Sequence, residues 1–518
     1  MRIRFSRISC LLLVLLVGAG PQAFAAKKPA PPAGAAATQH PLATDSALRV
    51  LGQGGNAVDA AIAAALTLAV VEPYNSGLGG GGMALVWTGK KARAFDFRET
   101  APLKAHERTF LEAPDPEAAR VGPLAIAVPG TVAGLELLHR QAGRLPWSAL
   151  FDEAIQYAEQ GFKPDAELKS RLLLKADCLL RDYHSAKIYR PLLQPEPAGK
   201  WLQADLAQSL KRLRDQGAAA FYEGALGAEL VANLQGKGAL LQLEDLQAYR
   251  AMERQPVSAG YSFGKIWGMP PPSAGGVGII LGMNRLEARL KKDKTGWAAQ
   301  GEAWLAAAMA EMFRIRNQEM GDPDFNPGMP LKAWLKKGGE TSHLSVMDGE
   351  GGAVAMTVTL NLSFGSCVTA GRTGILMNDE MDDFSTRPGL PNDFGLVQSE
   401  KNKVEAGKRP LSSMSPTLVT RGRHALAALG SPGGPRIMSS VFQVLARHYF
   451  GNESWPAALA GERLHDQGEP GKLQRESPTN RWGNVQAVVY DPKAKAFGAF
   501  SDPRGQGKAA VLGAAIGE

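Results

Sequence analysis

Apolar positions follow a helical spacing through much of the first two thirds of the chain and switch to strict alternation after about residue 340. From His40 the spacing is helical, with Thr44 or Asp45 able to cap a segment that runs to Leu51 and stops at Gly54-Gly55. A second helix is expected over 57–71, apolar nearly all round except for Asp59 and therefore suited to burial against a sheet. Four glycines, 79–82, then lead into an apolar strand over 83–87, and a second strand over 92–97 delivers Arg98 and Glu99 at its end. Adjacent glycines cost conformational entropy, so a run of four marks backbone that something approaches closely. A strand over 124–128 runs through Pro129-Gly130 into a helix from near Thr131. Helical segments dominate 147–249, and a short strand over 265–269 precedes Pro270-Pro271-Pro272. A long helical stretch, clearest over 304–315, ends before Gly321-Asp322-Pro323. The segment 324–339 is rich in Pro, Gly and Lys without a period, and reads as an exposed linker where a chain can be cut.

Beyond the linker the period becomes two. Residues 342–348 and 353–361 read as two strands about a turn at 349–352, which sets Thr341 opposite 359–361. In the second strand Thr357, Thr359 and Asn361 share one face, and Val354, Met356, Val358 and Leu360 share the other. One face is a polar site and the other a core. Apolar helices with strands on both sides of the linker predict a layered α/β sandwich assembled from both halves.

The first 25 residues are read apart from the fold. Arg2, Arg4 and Arg7 precede an apolar stretch over 11–17 and the small-residue site Ala23-Phe24-Ala25, the order of an export signal. The apolar stretch is too short for a membrane span, which needs roughly 20 residues. Its removal takes the formal charge from +8 to +5, too mild to argue for nucleic acid. Cys178 and Cys367 are then the remaining cysteines, open to one bridge or to two unpaired thiols.

Thr341 carries the candidate chemistry. A threonine hydroxyl is a poor nucleophile unless a base adjoins it, and a chain cut before Thr341 supplies that base as its own new α-amino group. Such an amine titrates near pH 8 when unperturbed. The glycines at 79–82 lack a following Lys-Ser/Thr and so do not make a phosphate loop.

Several separated motifs occur together with this threonine. They include His40-Pro41-Leu42-Ala43, Gly54-Gly55-Asn56-Ala57-Val58-Asp59-Ala60-Ala61, Glu72-Pro73 with the four glycines, Phe97-Arg98-Glu99 and Val128-Pro129-Gly130. Further along come Met269-Pro270-Pro271-Pro272, Thr341-Ser342-His343, Asn378-Asp379-Glu380-Met381-Asp382-Asp383-Phe384, the stretch 409–416 and Gly430-Ser431-Pro432-Gly433-Gly434. In this order the chain resembles γ-glutamyltransferases (γ-glutamyl transpeptidases), members of the N-terminal nucleophile hydrolases. The resemblance implies an αββα sandwich formed jointly by two subunits of one self-cleaved precursor. It implies a signal peptide at 1–25, a large subunit at 26–340 and a small catalytic subunit at 341–518, with the cut between Glu340 and Thr341. Thr341 would attack the γ-carbonyl of a γ-glutamyl amide such as glutathione, and water or an amino acid or peptide amine would resolve the acyl-enzyme.

The same resemblance assigns the remaining site residues. Thr359 would hydrogen-bond the Thr341 amine or hydroxyl, and the N–H groups of Gly433 and Gly434 would stabilise the oxyanion. Arg98, Ser412 and Ser413 would hold the α-carboxylate, Arg98 with its two-pronged donor set. Asn361, Glu380 and Asp383 would hold the α-ammonium. The stretch 387–408 resembles a lid, with Phe394 at the position of an aromatic lid residue. The linker before Thr341 is shorter than usual, and 461–483 lacks a segment that such small subunits carry. The mechanism needs no cofactor or metal, and the expected location is periplasmic or secreted, without a stable membrane anchor. Two alternatives share the scaffold: an acylase for a β-lactam side chain or poly-γ-glutamate, and a binding protein that never cleaves.

Overall fold

Two antiparallel sheets lie face to face between two layers of helices. The computed structural model describes residues 33–194, 199–293, 295–330, 343–387, 389–468, 472–477 and 480–513. The leader, the linker beyond 330, and the expected cut with Thr341 lie outside the described residues.

The first sheet contains β1 (Gly34–Thr38), β2 (Gly81–Trp87), β3 (Ala92–Phe97) and β4 (Met252–Arg254). The second begins with β5 (Val257–Tyr261) and β6 (Gly264–Gly268). Beyond the linker follow β7 (Leu344–Asp348), β8 (Ala353–Thr359), β9 (Thr417–Arg421) and β10 (His424–Gly430). A small ribbon pairs β11 (Leu464–His465) with β12 (Gln474–Arg475), and the chain closes with β13 (Gln486–Asp491), β14 (Ala496–Ser501) and β15 (Lys508–Leu512). The two large sheets have the orders β15-β1-β7-β8-β2-β3-β4 and β14-β13-β10-β9-β6-β5. Strands from both sides of the linker therefore alternate within one sheet, β1 lying between β15 and β7, and β2 beside β8.

Side-chain alternation builds the four layers. In β8, Val354, Met356 and Val358 join the helix-side core with the helix Ala57–Val71, while Ala353 and Ala355 face the other sheet. In β13, Val488 joins that inter-sheet core and Ala487 and Val489 turn to the outer helices Gly275–Lys292, Trp297–Glu319 and Arg436–Tyr449. The helix Ala57–Val71 is buried along its whole length, as its composition requires. Asp59 is no exception to the packing logic: with Asn56 it forms a reciprocal N-terminal cap, and its carboxylate also accepts the backbone N–H of Arg144.

Two expectations are corrected, and one left open is resolved. The first helix is Pro41–Gly52 and is capped by His40, whose Nδ1 accepts the N–H of Leu42, rather than by Thr44 or Asp45. The segment 124–128 is not a strand. It holds a 3₁₀ turn at Pro123–Ala125, and Val128 alone bridges to Thr100. Prolines 123 and 129 bound this short apolar run and remove ladder donors. Cys178 and Cys367, left open as a pair or two thiols, form a disulfide with Cα atoms 5.8 Å apart across 189 residues.

Candidate active site

Nine of the ten expected site residues line one cavity of about 560 Å³: Arg98, Thr359, Asn361, Glu380, Asp383, Ser412, Ser413, Gly433 and Gly434. The tenth, Thr341, lies outside the described residues. The cavity opens where β8 ends beside the start of β2, and the glycine run lets the backbone close up next to it. Gly81 pairs with Thr359, and a Cβ on Gly80 would lie 1.9 Å from the Thr359 carbonyl oxygen. These glycines are thus approached by neighbouring backbone and, at Gly81, by the Glu99 carboxyl, where a Cβ would meet Oε2 at 2.4 Å.

Thr359 ends β8 on the polar face that the alternation predicts. Its hydroxyl accepts the N–H of Asn361 at 2.8 Å. Asn361 has φ +76°, in the left-handed region that Asn tolerates, and its side chain donates to the Asp379 carbonyl at 3.1 Å. That turn brings the loop back along the cavity. Asn378 braces it from below, donating to the carbonyls of Gly79 at 2.7 Å and Ala127 at 3.0 Å and accepting the N–H of Glu380 at 3.0 Å.

Arg98 leaves the end of β3 into a nest of acids. It is 1 % exposed, lies 2.5 Å from Glu380 and 3.5 Å from Glu99, and also pairs with Asp383. Groups expected to hold the carboxylate and the ammonium therefore meet in one buried array of a single cation and three acids. Burial opposes the charge on Arg98, yet Glu380, Asp383 and Glu99 outweigh it and hold the guanidinium firmly protonated. One cation cannot offset three buried acids. Burial pushes Glu99 up to about 7 against the pull of Arg98, and burial with the nearby acids pushes Glu380 well above the usual carboxylate range. The array suits a zwitterion, whose ammonium meets the acids and whose carboxylate meets the cation side.

The side expected to hold the carboxylate is built by the loop before β9. Ser412 bridges to Ser273, its N–H reaching the Pro272 carbonyl at 2.8 Å and its own carbonyl accepting Ala274 at 2.9 Å, so the proline run fixes its place. Ser413 accepts a bond from the Nε of Arg316 at 2.9 Å. Arg316, Gln398 and Asn402 were not singled out in the sequence. A polar residue on a long helix gives no local sign of the cavity it reaches.

Gly433 and Gly434 stand between β10 and the helix Arg436–Tyr449, with φ +122° and +55°, a conformation that side chains other than glycine adopt poorly. Their carbonyls accept the N–H groups of Arg436 and Ile437, each at 3.2 Å, as the helix begins. Phe394 also lines the cavity, and a Cβ on Gly434 would lie 2.5 Å from its ring. The expected lid aromatic therefore sits on the expected oxyanion glycine. Among the described residues no cluster of His, Cys, Asp and Glu is arranged to hold a metal ion.

The αββα layers, with a paired-glycine helix start and a buried charge array at the strand ends, are the fold of the N-terminal nucleophile hydrolases. The solved cephalosporin acylase of Bacillus halodurans has this fold, at a TM-score of 0.79 with 24% identity over 97% of this chain and 100% of that one. The sequence profile of the gamma-glutamyltranspeptidase family matches residues 43–338 and 331–481, and the chain belongs to that family of enzymes. The glutathione hydrolase proenzyme of Escherichia coli strain K12 is 35% identical over 524 residues, covering 91% of this chain and 90% of that protein. The solved gamma-glutamyltranspeptidase of Helicobacter pylori is 34% identical with a TM-score of 0.55, covering 57% of this chain and 87% of that one.

Proposed function

We propose that the protein is a self-processing γ-glutamyltransferase and glutathione hydrolase. The chain is cut between Glu340 and Thr341 into a large fragment, 26–340, and a small one, 341–518, which remain together. The Thr341 α-amino group takes the proton of its own hydroxyl as the oxygen attacks the γ-carbonyl. The N–H groups of Gly433 and Gly434 stabilise the tetrahedral oxyanion. The C–N bond then breaks, the amine leaves with the proton, and a γ-glutamyl ester remains on Thr341. Water returns glutamate, whereas an amino acid or peptide amine returns a new γ-glutamyl amide.

Thr359 steadies the Thr341 amine or hydroxyl in this reading. In its support, β7 and β8 pair Leu344 with Met356 and Met347 with Ala353, the register in which Thr341 is expected opposite Thr359. Arg98, Ser412 and Ser413 receive the α-carboxylate, and Asn361, Glu380 and Asp383 receive the α-ammonium. The single observation that carries the proposal is that residues scattered from Arg98 to Gly434 converge on one cavity. Export to an oxidising compartment accompanies it, supported by the leader and by the Cys178–Cys367 bond. No described helix is long and apolar enough to cross a membrane.

The test is turnover of a γ-glutamyl anilide by the purified protein, with Thr341→Ala as control. Release of the aniline that is abolished in Thr341→Ala supports the proposal. Equal release by both proteins contradicts it.

A further inference from the structure

Arg316 reaches the cavity from the helix Trp297–Glu319 and is 1 % exposed. Its Nε donates to Ser413 Oγ at 2.9 Å, and its Nη1 donates to Asn317 Oδ1 at 3.0 Å and Gln398 Oε1 at 3.3 Å. Gln398 in turn donates to the Asp383 carbonyl at 2.9 Å. Asn402 donates to the same carbonyl at 2.7 Å and accepts the N–H of Leu411 at 2.8 Å. A buried network therefore joins the serine loop to the backbone of Asp383, the two ends of the amino-acid subsite.

We propose that Arg316 is the positioning residue of Ser413 and the second positive charge of the α-carboxylate subsite. An arginine Nε only donates, so Ser413 Oγ must accept from it and turns its own hydroxyl hydrogen toward the cavity. Arg98 is already engaged by Glu99, Glu380 and Asp383. A carboxylate arriving at that acid-rich array gains from a further buried cation on the serine side. The inference rests on the γ-glutamyl reading of the site.

The experiment compares two chromogenic donors, a γ-glutamyl anilide and its α-carboxamide, on variants first checked for normal circular dichroism. Arg316→Gln is expected to raise KM for the α-carboxylate donor about tenfold or more, with kcat within about threefold, because a charge-assisted bond made in the ground state is lost. KM for the α-carboxamide donor stays within about twofold of the parent. Arg316→Lys, which keeps the charge but not the fork geometry, recovers part of the loss and carries the same test if Arg316→Gln does not fold. In a Ser413→Ala background the further loss from Arg316→Gln shrinks, as expected for residues acting as a unit. Equal losses on both donors, or fully additive losses with Ser413→Ala, overturn the assignment of Arg316 alone. A parent enzyme that treats the two donors alike overturns the α-carboxylate reading itself, and the assignment falls with it.

The disulfide independently carries a second inference. Cys178 ends a helix, Ala166–Leu179, whose Glu167, Arg171 and Lys175 line the cavity, while Cys367 lies in the loop whose Asn361, Leu362 and Ser363 line it too. We infer that, given the proposed cut, this bond is the covalent tie between the two fragments and pins the large-fragment wall of the cavity to the small-fragment loop. The two cysteines are the only ones beyond Cys10, so no other partner competes within the exported chain. The test is denaturing electrophoresis after thiol alkylation. One band without reductant and two with it are expected, and Cys178→Ser gives two bands in both lanes. Two bands from the parent protein without reductant overturn the tie alone. One full-length band even with reductant overturns the cut, and the tie between fragments with it.

Discussion

Gly81 and Thr359 are direct cross-strand partners, and the carboxyl of Glu99 occupies the space that a side chain on Gly81 would need. One backbone position thus sets both the end of the threonine strand and the acid that flanks Arg98. Gly81→Ala is expected to displace Glu99 and Arg98, costing about 2 kcal/mol of stability through overpacking. The checks are the thermal midpoint and the KM for a γ-glutamyl anilide, both of which worsen. Gly260→Ala, on an exposed position of β5 where nothing lies within 4 Å of the added carbon, is the control.

Thr359 lines the cavity, and its hydroxyl accepts the N–H of Asn361. Thr359→Ala is expected to lower kcat at least about tenfold, the worth of one lost hydrogen bond to a charged or reacting group, while leaving KM within about threefold. Thr359→Ser keeps the oxygen and recovers most of the rate. Steady-state kinetics on a γ-glutamyl anilide separates the two outcomes.

Asp383 pairs with Arg98 and is expected to meet the substrate ammonium. Asp383→Asn should raise KM about a hundredfold for a donor with an α-amine, the scale of about 3 kcal/mol for an uncompensated buried charge. Donors lacking the amine, such as glutaryl anilide, are poor substrates of the parent and change little in the variant. A parent enzyme with equal rates on both donors would point to the sibling acylase instead.

Glu72, on the cavity wall, gives a pH dependence of stability. Burial pushes its carboxyl up from 4.5 to about 7, against His40 and the bonds donated by Asn75 and Tyr74. The folded protein therefore holds a proton that the unfolded chain releases near pH 4.5. Stability from this group is fully present below pH 4.5, falls as pH rises to about 7, and is flat beyond; the change is about 3 kcal/mol. Glu72→Gln should remove that part of the slope in denaturant midpoints measured from pH 5 to 8.

The features legible in the sequence were those with a local cause. The helix at Ala57–Val71 and the strand at Ala92–Phe97 were readable to the residue, because composition and alternation leave no second solution there. The division of β8 into a core face and a polar face was readable for the same reason. The stretch 124–128 was not, since a five-residue apolar run fits a strand or a turn equally until its bounding prolines are placed. Arg316 and the Cys178–Cys367 bond were not readable either. Both depend on elements far apart in the chain, and neither a helical polar residue nor two cysteines 189 residues apart say what they meet. Nor did the motifs say that Arg98 would sit among three acids rather than wait free for a carboxylate.

In the proposed function, everything downstream depends on Thr341 becoming an N-terminus and the nucleophile. Intact-mass and N-terminal peptide mass spectrometry of the purified, reduced protein tests it most directly. Two fragments are expected, the smaller beginning Thr341-Ser342-His343; the Thr341→Ala protein is expected to remain uncut, and a γ-glutamyl anilide to leave a transient adduct on Thr341. A single uncut chain that still turns over the anilide, or a small fragment beginning at any other residue, would contradict it.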